Sequence, residues 1–456
     1  MKKVFTLLWA VFATVATFAQ TEPAIELQAE VDGNQRALNV SLGDAGKVQV
    51  DWGDGNLVSY DVPQYDGWNE IEMTGTVVGE GKIKVYGNGI VYFGCTSRVD
   101  GAQVLSLDVT KATALQKLYA NANKLTSLDL THNVDLTAAD IQNNQLSSLD
   151  ISKNVNLTSL TLSNNLLTSI DISANQSLAT LYVSNNLIAG AWDISGNPNL
   201  KSLYALNNQL TSVVLGKKTA SRPFFNFNNN KLVSIDATEI QDVANATLYL
   251  MGNQLSEVKL PASQVKMLNI SKNNFTLGSL PATTVAKTLT YAPQNDLVID
   301  EHYAVNGVLD LSDQTSDVLN TSFAVLTKAG TALVEGTDYT VENGKITFLT
   351  NQDAVYVTMT SAAYPKFTGS NIYKTTLTQV GTPSSISVAK PTGVKIEAAN
   401  GKIGISGLAQ GDAITVVTAS GAVVANLKAN GATASVQVTP GLYIINVNGK
   451  TVKVVL

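Results

Sequence analysis

The sequence predicts a mainly β fold: a solenoid of short stacked strands, flanked by an N-terminal β cap and by C-terminal β-sandwich domains. Two observations carry this expectation. Through the middle of the chain an asparagine returns every 20–23 residues within a fixed frame of leucines. On either side, apolar and polar residues alternate in short runs broken by Asn-Gly and Asp-Gly pairs, which accept the positive φ of tight hairpin turns.

In chain order, residues 1–19 read as a removed export signal. Lys2 and Lys3 give a positive start, Phe5 to Phe18 an apolar run, and Thr17-Phe18-Ala19 a small-residue cleavage site. The apolar run is shorter than the roughly 18–20 residues that span a bilayer, and no later stretch reaches that length. The mature chain is therefore expected to carry no transmembrane segment. Residues 20–104, with "VQVDWGDGNLVSYDV" and "KIKVYGNGIVYF", read as the β-rich cap that an exposed first coil requires.

Residues 105–281 are the expected solenoid. The pattern L-x-x-L-x-L-x-x-N-x-L, followed by T/S-S-L/I-D-L/I-S and a short polar return, places its asparagine at Asn123, Asn144, Asn165, Asn186, Asn208, Asn230, Asn253 and Asn273. A half-copy, "LSLDVTKATA" at 105–114, precedes the first. One coil cannot bury its own Leu and Ile side chains, so neighbours must stack to hide them. The asparagine is expected to turn inward and bond backbone groups of its own coil and the next. Each such bond is worth about 0.5–1.5 kcal/mol net, and an orphaned buried partner costs about 1–3. The return side is expected to be another short extended stretch, since no coil leaves room for a long helix. Phe225 and Phe227 replace the aliphatic pair in a later copy, and Pro261 and Pro281 follow the last two.

Residues 282–380 hold "GVLDLS", "DYTVENGKITFL" and "AVYVTMT", spaced as in a β-sandwich, with Asn343-Gly344 as the clearest hairpin. Residues 381–391, rich in Ser, Pro and Gly, read as a linker. Residues 392–456 read as a small antiparallel β-sandwich with turns at Asn400-Gly401, Asn430-Gly431 and Asn448-Gly449.

Three resemblances attach to these residues. The repeats resemble leucine-rich repeats, and their short T-S-L-D-L-S form resembles internalin-type surface proteins. The run "NGKIGISG", "ITVVTASGAVV", "TPGLYIINVNGK" and the closing "KVVL" resembles the C-terminal sorting domain of the type IX secretion system of Bacteroidota. That likeness implies recognition by the type IX machinery and export across an outer membrane, often with later removal of the domain. The "VDWGDG" element resembles a turn of immunoglobulin-like surface modules, the type expected of the flanking sandwiches.

Composition excludes several classes. Thirty Lys and Arg against 36 Asp and Glu give a net charge of −6 with no basic block, which argues against nucleic-acid binding. One cysteine rules out a disulfide framework or a cysteine-built zinc site. His132 and His302 are too far apart in sequence for an i,i+4 metal pair, and no G-x-S-x-G, H-E-x-x-H or phosphate loop occurs. No catalytic residue, metal or cofactor is assigned. Asp129, Asp150, Asp171, Asp193 and Asp236 recur once per coil. A carboxylate column suits calcium, but local bonding to turn N–H groups accounts for the same spacing and is the reading taken. The same holds for Asp51 and Asp54. Cys95 reads as a small buried hydrophobe.

The strand face carries the functional expectation. In each coil, positions three, five and seven alternate with core residues and are expected to point outward. Position five reads Tyr119, Asp140, Thr161, Tyr182, Tyr204, Asn226, Tyr249 and Asn269; across the three columns only Lys117 and Asp140 are charged. Tyr182, Tyr204, Leu206, Phe224, Tyr249 and Met251 are expected to cluster on the C-terminal half of the face, with Tyr119 further along it. Aromatic and apolar groups among small polar ones are the composition of a recognition surface. The expectation is a secreted or cell-surface adhesin that is not an enzyme, binding a host or bacterial surface protein or glycan through its concave face. The alternative is a structural protein that self-associates in a surface layer or biofilm matrix.

Overall fold

The computed structural model describes residues 22–96, 103–299, 304–305, 307–350, 352, 354–379, 394–399, 401–418, 422–439, 442–448 and 450–455. The export signal at 1–19, the linker at 381–391 and His302 lie outside these residues. The architecture is mainly β, a leucine-rich-repeat solenoid with β units on both sides. The helical elements among the described residues are four 3-10 turns of three residues each.

The solenoid is built on one twelve-stranded sheet. Short parallel strands Lys117–Tyr119, Ala138–Asp140, Ser159–Thr161, Thr180–Tyr182, Ser202–Tyr204, Phe224–Asn226, Thr247–Tyr249 and Val265–Asn269 pair in register, one per coil. Their central residues, Leu118 to Leu268, are buried. Each buried Leu contributes on the order of 1.5–3 kcal/mol, but only because the next coil covers it. The parallel ladder itself starts earlier, at Ile90–Gly94, and runs on to Ala286–Thr290. The half-copy Val104–Asp108 does not join it. That strand pairs antiparallel with Ile25–Ala29 in a separate five-stranded sheet.

The return sides differ from the sequence expectation. Among the described residues, extended return strands form only at Ala189–Asp193, Gln209–Val214 and Ser234–Asp236. These lie in the coils of 22 and 23 residues, where the added length lets the return run pair with its neighbour. The 21-residue coils close through successive tight turns, such as Asn133 N to Leu130 O at 3.0 Å and Leu136 N to Asn133 O at 3.1 Å.

The N-terminal unit is continuous with the solenoid. Its strands Ile71–Thr76 and Gln35–Leu42 extend the twelve-stranded sheet beyond Ile90–Gly94. Trp52 packs over Gly75, where a Cβ would come within 2.2 Å of the indole. At the other end, the sandwich built from a four-stranded and a three-stranded sheet covers the last coil. Tyr291 meets Tyr364 and Phe367 edge-on at 5.4 and 5.2 Å, and Lys366 Nζ donates to Leu289 O at 2.7 Å. One hydrophobic core therefore runs from Ala24 to Tyr373.

The C-terminal segment has a separate core around Ile403, Ile414 and Ile445, between sheets of three and four strands. The strands flanking residues 400–401 and 448–449 pair as hairpins. Asn430-Gly431 is not a hairpin turn: it joins Val423–Lys428 in one sheet to Thr433–Gln437 in the other. Neither residue has positive φ, so the pair serves as a crossover.

Candidate functional site: the tyrosine-bearing strand face

The interior asparagines fix the spacing of the face. Asn165 is typical: Nδ2 donates to Ile141 O and Leu162 O at 3.0 Å, and Oδ1 accepts Leu146 N at 3.0 Å. The bonds thus run to its own coil and the preceding one, not to the next as the sequence suggested. Asn123, Asn144, Asn186, Asn208, Asn230, Asn253 and Asn273 each bond the same two kinds of carbonyl. Gln294 succeeds them, with Nε2 on Ile270 O at 2.9 Å.

A second buried ladder escaped sequence reading. Asn133, Asn154, Asn175 and Asn197 each donate to two carbonyls of the preceding coil, at 2.8–3.1 Å. Their signature is N-x-x-L repeated through the returns, easily taken for turn residues. Lys218 occupies the next rung. Its side chain is fully buried, and Nζ donates to Ile194 O at 2.7 Å and to Leu215 O. Burial pulls its pKa down to about 8, against a smaller upward pull from Asp193.

A third row lies exposed beside the face. Asn143, Asn164, Asn185, Asn207 and Asn229 all adopt φ of 55–58°, a conformation asparagine tolerates better than most residues. Their amides join in sequence, Asn164 to Asn143, Asn185 to Asn164, Asn207 to Asn185 and Asn229 to Asn207, at 2.6–2.8 Å. The Asn-Asn doublets were the overlooked signal. The row stops at Gly252, where a Cβ would sit 2.4 Å from Asn229 Oδ1.

Strand register then places the aromatic side chains. Tyr182 lies opposite Tyr204, and Phe224 one column to the side. Tyr182 stacks on Tyr204 at 4.7 Å and 25°, Tyr204 on Phe224 at 4.8 Å and 25°, and Phe224 meets Tyr249 at 5.5 Å and 56°. The Tyr249 hydroxyl reaches Met267 Sδ at 3.0 Å. Burial, then the neighbouring Tyr182 and Tyr249 phenols, raise the Tyr204 pKa, so at neutral pH its hydroxyl remains a donor. Leu206 and Met251 are half-buried two strands apart with Asn228 between them, and Met251 N donates to Asn228 Oδ1 at 2.8 Å.

Tyr119 belongs to a different group. It stacks on Tyr92 at 5.3 Å, Tyr92 meets Tyr65 at 6.1 Å, and Lys117 Nζ lies 5.2 Å from the Tyr65 ring centroid. Tyr65 and Tyr92 lie in the cap, outside the repeat; the pairing of Ile90–Gly94 with Lys117–Tyr119 reveals Tyr92, and its ring contact reveals Tyr65. Asp140 stands between the two groups. Burial raises its pKa, against Gln142 N and Nε2, which donate to it at 3.2 and 3.1 Å.

The face is less open than alternation alone suggests. Ser184, Thr247 and Ser271 are buried and the other outward positions are half-buried. Neighbouring columns shade one another: Thr247 lies in register between Phe224 and Met267.

The carboxylate column is taken up locally. Asp129, Asp150, Asp171, Asp193 and Asp236 each accept the backbone N–H two residues on, at 2.8–3.0 Å. Bonds to Thr131, Ser152, Ser173, Ser195 and Thr238 hold these carboxyls below the ordinary range. Adding calcium or EDTA is expected to leave the melting temperature unchanged in calorimetry. Asp51 Oδ1 accepts Gly53 N and Gly55 N at 2.9 Å, and Asp54 Oδ1 accepts Asn56 N at 2.9 Å. His132 is exposed beside Thr131 and Asp129. Cys95 is buried, its thiol pushed up to about 12 by desolvation, and its carbonyl accepts Asn123 Nδ2.

No family model matches the chain, and neither does any curated protein. Among solved structures, the functional domain of InlJ from Listeria monocytogenes is similar at 18% identity and a TM-score of 0.42, over 64% of this chain and 67% of that one. Internalin C2 from Listeria monocytogenes is similar at 18% identity and 0.31, over 44% and 81%. The leucine-rich effector YopM from Yersinia pestis is similar at 20% identity and 0.32, over 41% of this chain and 58% of its own length.

Proposed function

We propose that this chain is a secreted or cell-surface leucine-rich-repeat adhesin, which holds a protein or glycan of a host or bacterial surface against its strand face. The row Tyr182–Tyr204–Phe224–Tyr249 carries the reading. Stacking on both sides covers the faces of Tyr204 and leaves its edge and phenol tip to the ligand. Ring edges are electropositive and phenol hydroxyls donate, so the row suits a partner rich in carbonyl or hydroxyl oxygens. Tyrosine offers this contact at low entropic cost. With Lys117 and Asp140 the only charges in the three columns, binding depends little on salt.

Export by the type IX machinery of a Bacteroidota cell completes the proposal. The apolar start of the chain and the motifs of residues 392–456 support it, as does a C-terminal unit with a core of its own.

Tyr204→Ala and Tyr249→Ala are expected to weaken binding to host or bacterial cells by roughly ten- to a hundredfold, the range of interface hot spots. Lost cross-strand packing is worth only about 0.2–1 kcal/mol per pair, so the melting temperature stays nearly constant. Flow cytometry with labelled protein and calorimetry read the two effects. A large loss of stability with cell binding intact would return the rings to a purely structural role.

A further inference from the structure

One aromatic side chain has no role in either stack. Trp68 is 90% exposed, more than any other large hydrophobic residue among those described. It stands at the tip of the loop between strands Leu57–Val62 and Ile71–Thr76, and that loop is tightly held. Asp66 Oδ1 accepts Trp68 N and Asn69 N at 3.0 and 3.1 Å, while Asn69 Oδ1 accepts Asp66 N at 3.0 Å. Asn69 Nδ2 donates to Gln64 O at 2.9 Å, and the Tyr65 hydroxyl to Gly67 O at 2.9 Å. Both ends are pinned to strand Gln35–Leu42, by Tyr65 N to Leu42 O at 2.8 Å and Ser41 Oγ to Asn69 O at 2.7 Å. Gly67, at φ +105°, makes the turn that no side chain adopts readily.

We propose that this turn is a saccharide-binding site, in which the Trp68 indole stacks on the apolar face of a neutral pyranose ring and Asp66 accepts its hydroxyls. The chemistry selects this occupant. Unlike the tyrosines of the strand face, Trp68 stacks on no ring among the described residues, and its faces are exposed. Asp66 holds the turn through Oδ1, and Oδ2 makes no hydrogen bond among the described residues. The turn N–H groups of Trp68 and Asn69 keep its carboxyl below the usual range, so it is an ionised acceptor at neutral pH. A protein interface needs roughly 800 Å² per partner around an apolar core. The loop that carries this ring is polar instead, with Gln64, Asp66, Asn69 and Glu70. The same carboxylates repel anionic lipid and acidic sugars. A single pyranose matches a single indole in size, and the fixed loop removes the ordering cost of binding.

The test uses the full secreted chain and its intrinsic fluorescence. Trp52 and Trp192 are buried, so Trp68 is the exposed emitter among the described residues. Cello-, xylo-, manno- and chito-hexaose are titrated as probes, with sialyllactose as the acidic control. The expected result is a blue shift with at least one neutral hexaose and none with sialyllactose. Trp68→Ala abolishes the shift, and in calorimetric titration weakens binding roughly tenfold or more. Asp66→Asn keeps the turn acceptor and weakens binding less. Tyr204→Ala leaves the saccharide response intact, which separates this site from the strand face. No response to any neutral hexaose, or equal calorimetric affinity in Trp68→Ala, overturns the proposal.

Discussion

Replacing Asn165 by alanine is expected to destabilise the protein by about 2–4 kcal/mol, among the largest effects of any single substitution in the repeat. The reason lies in what the amide leaves behind. Leu146 N, buried in the coil interior, has Asn165 Oδ1 as its acceptor. An orphaned buried N–H costs about 1–3 kcal/mol, and the space vacated adds to that. The carbonyls of Ile141 and Leu162 suffer less, because Asn144 and Asn186 also donate to them. The ladder is therefore redundant for its acceptors and not for its donors. Asn165→Asp should be worse still at pH 7, since it turns a carboxylate oxygen toward those two carbonyls. Asn164→Gly, one residue away in the exposed row, is expected to change stability by no more than about 0.5 kcal/mol, as Gly252 already occupies the equivalent place. Equilibrium urea unfolding followed by circular dichroism gives all three values; equal effects at positions 164 and 165 would contradict the assignment.

Lys218 supplies the second large effect, with the opposite sign. Its pKa is about 8 in the folded chain against an ordinary 10.5. Below pH 8 the amine is charged in both states, and the folded state carries the whole cost of burying an ammonium group. A depression of that size corresponds to about 3 kcal/mol. As pH rises from 8 toward 10.5, the folded chain sheds the proton while the unfolded chain still binds it, so stability increases with pH in that window. Lys218→Met keeps the length and removes the charge. It gives up the bonds to Ile194 O and Leu215 O, worth about 1 kcal/mol each. The variant should be roughly 1–2 kcal/mol more stable than wild type at pH 7. Above the window the wild type regains the advantage, because the neutral amine still donates to both carbonyls. Urea unfolding of both proteins at a series of pH values should give curves that cross; parallel curves would mean that the amine titrates normally.

Much of this fold was legible because a solenoid writes its geometry into a period. The recurrence of asparagine announces stacked coils, and alternation around Leu118 and Leu181 announces short strands with one side inward. The partners of each amide were less legible, since spacing alone does not tell a turn asparagine from a buried one. Asn133 and Asn175 look like loop residues until the neighbouring coil is laid beside them. Lys218 gives no sign of its burial for the same reason, since its rung shows only when the coils are stacked. The aromatic face was only partly visible. Tyr182, Tyr204 and Tyr249 share a column by count, while Tyr65 and Tyr92 belong to a cap with no repeat to count. Trp68 owes its position to loop hydrogen bonds between residues that carry no periodic signal at all.

The exposed amide chain from Asn143 to Asn229 has a consequence for what the strand face can tolerate. Backbone and amide bonds together set the step between coils, so the surface behaves as a ruler whose graduations are independent of what is written on them. A half-buried side chain in an outward column can be exchanged without moving the marks, whereas Ser184, Thr247 and Ser271 are buried in the frame itself. A ligand with its own regular repeat is then measured against a fixed pitch, and a mismatch in length accumulates with every coil it crosses.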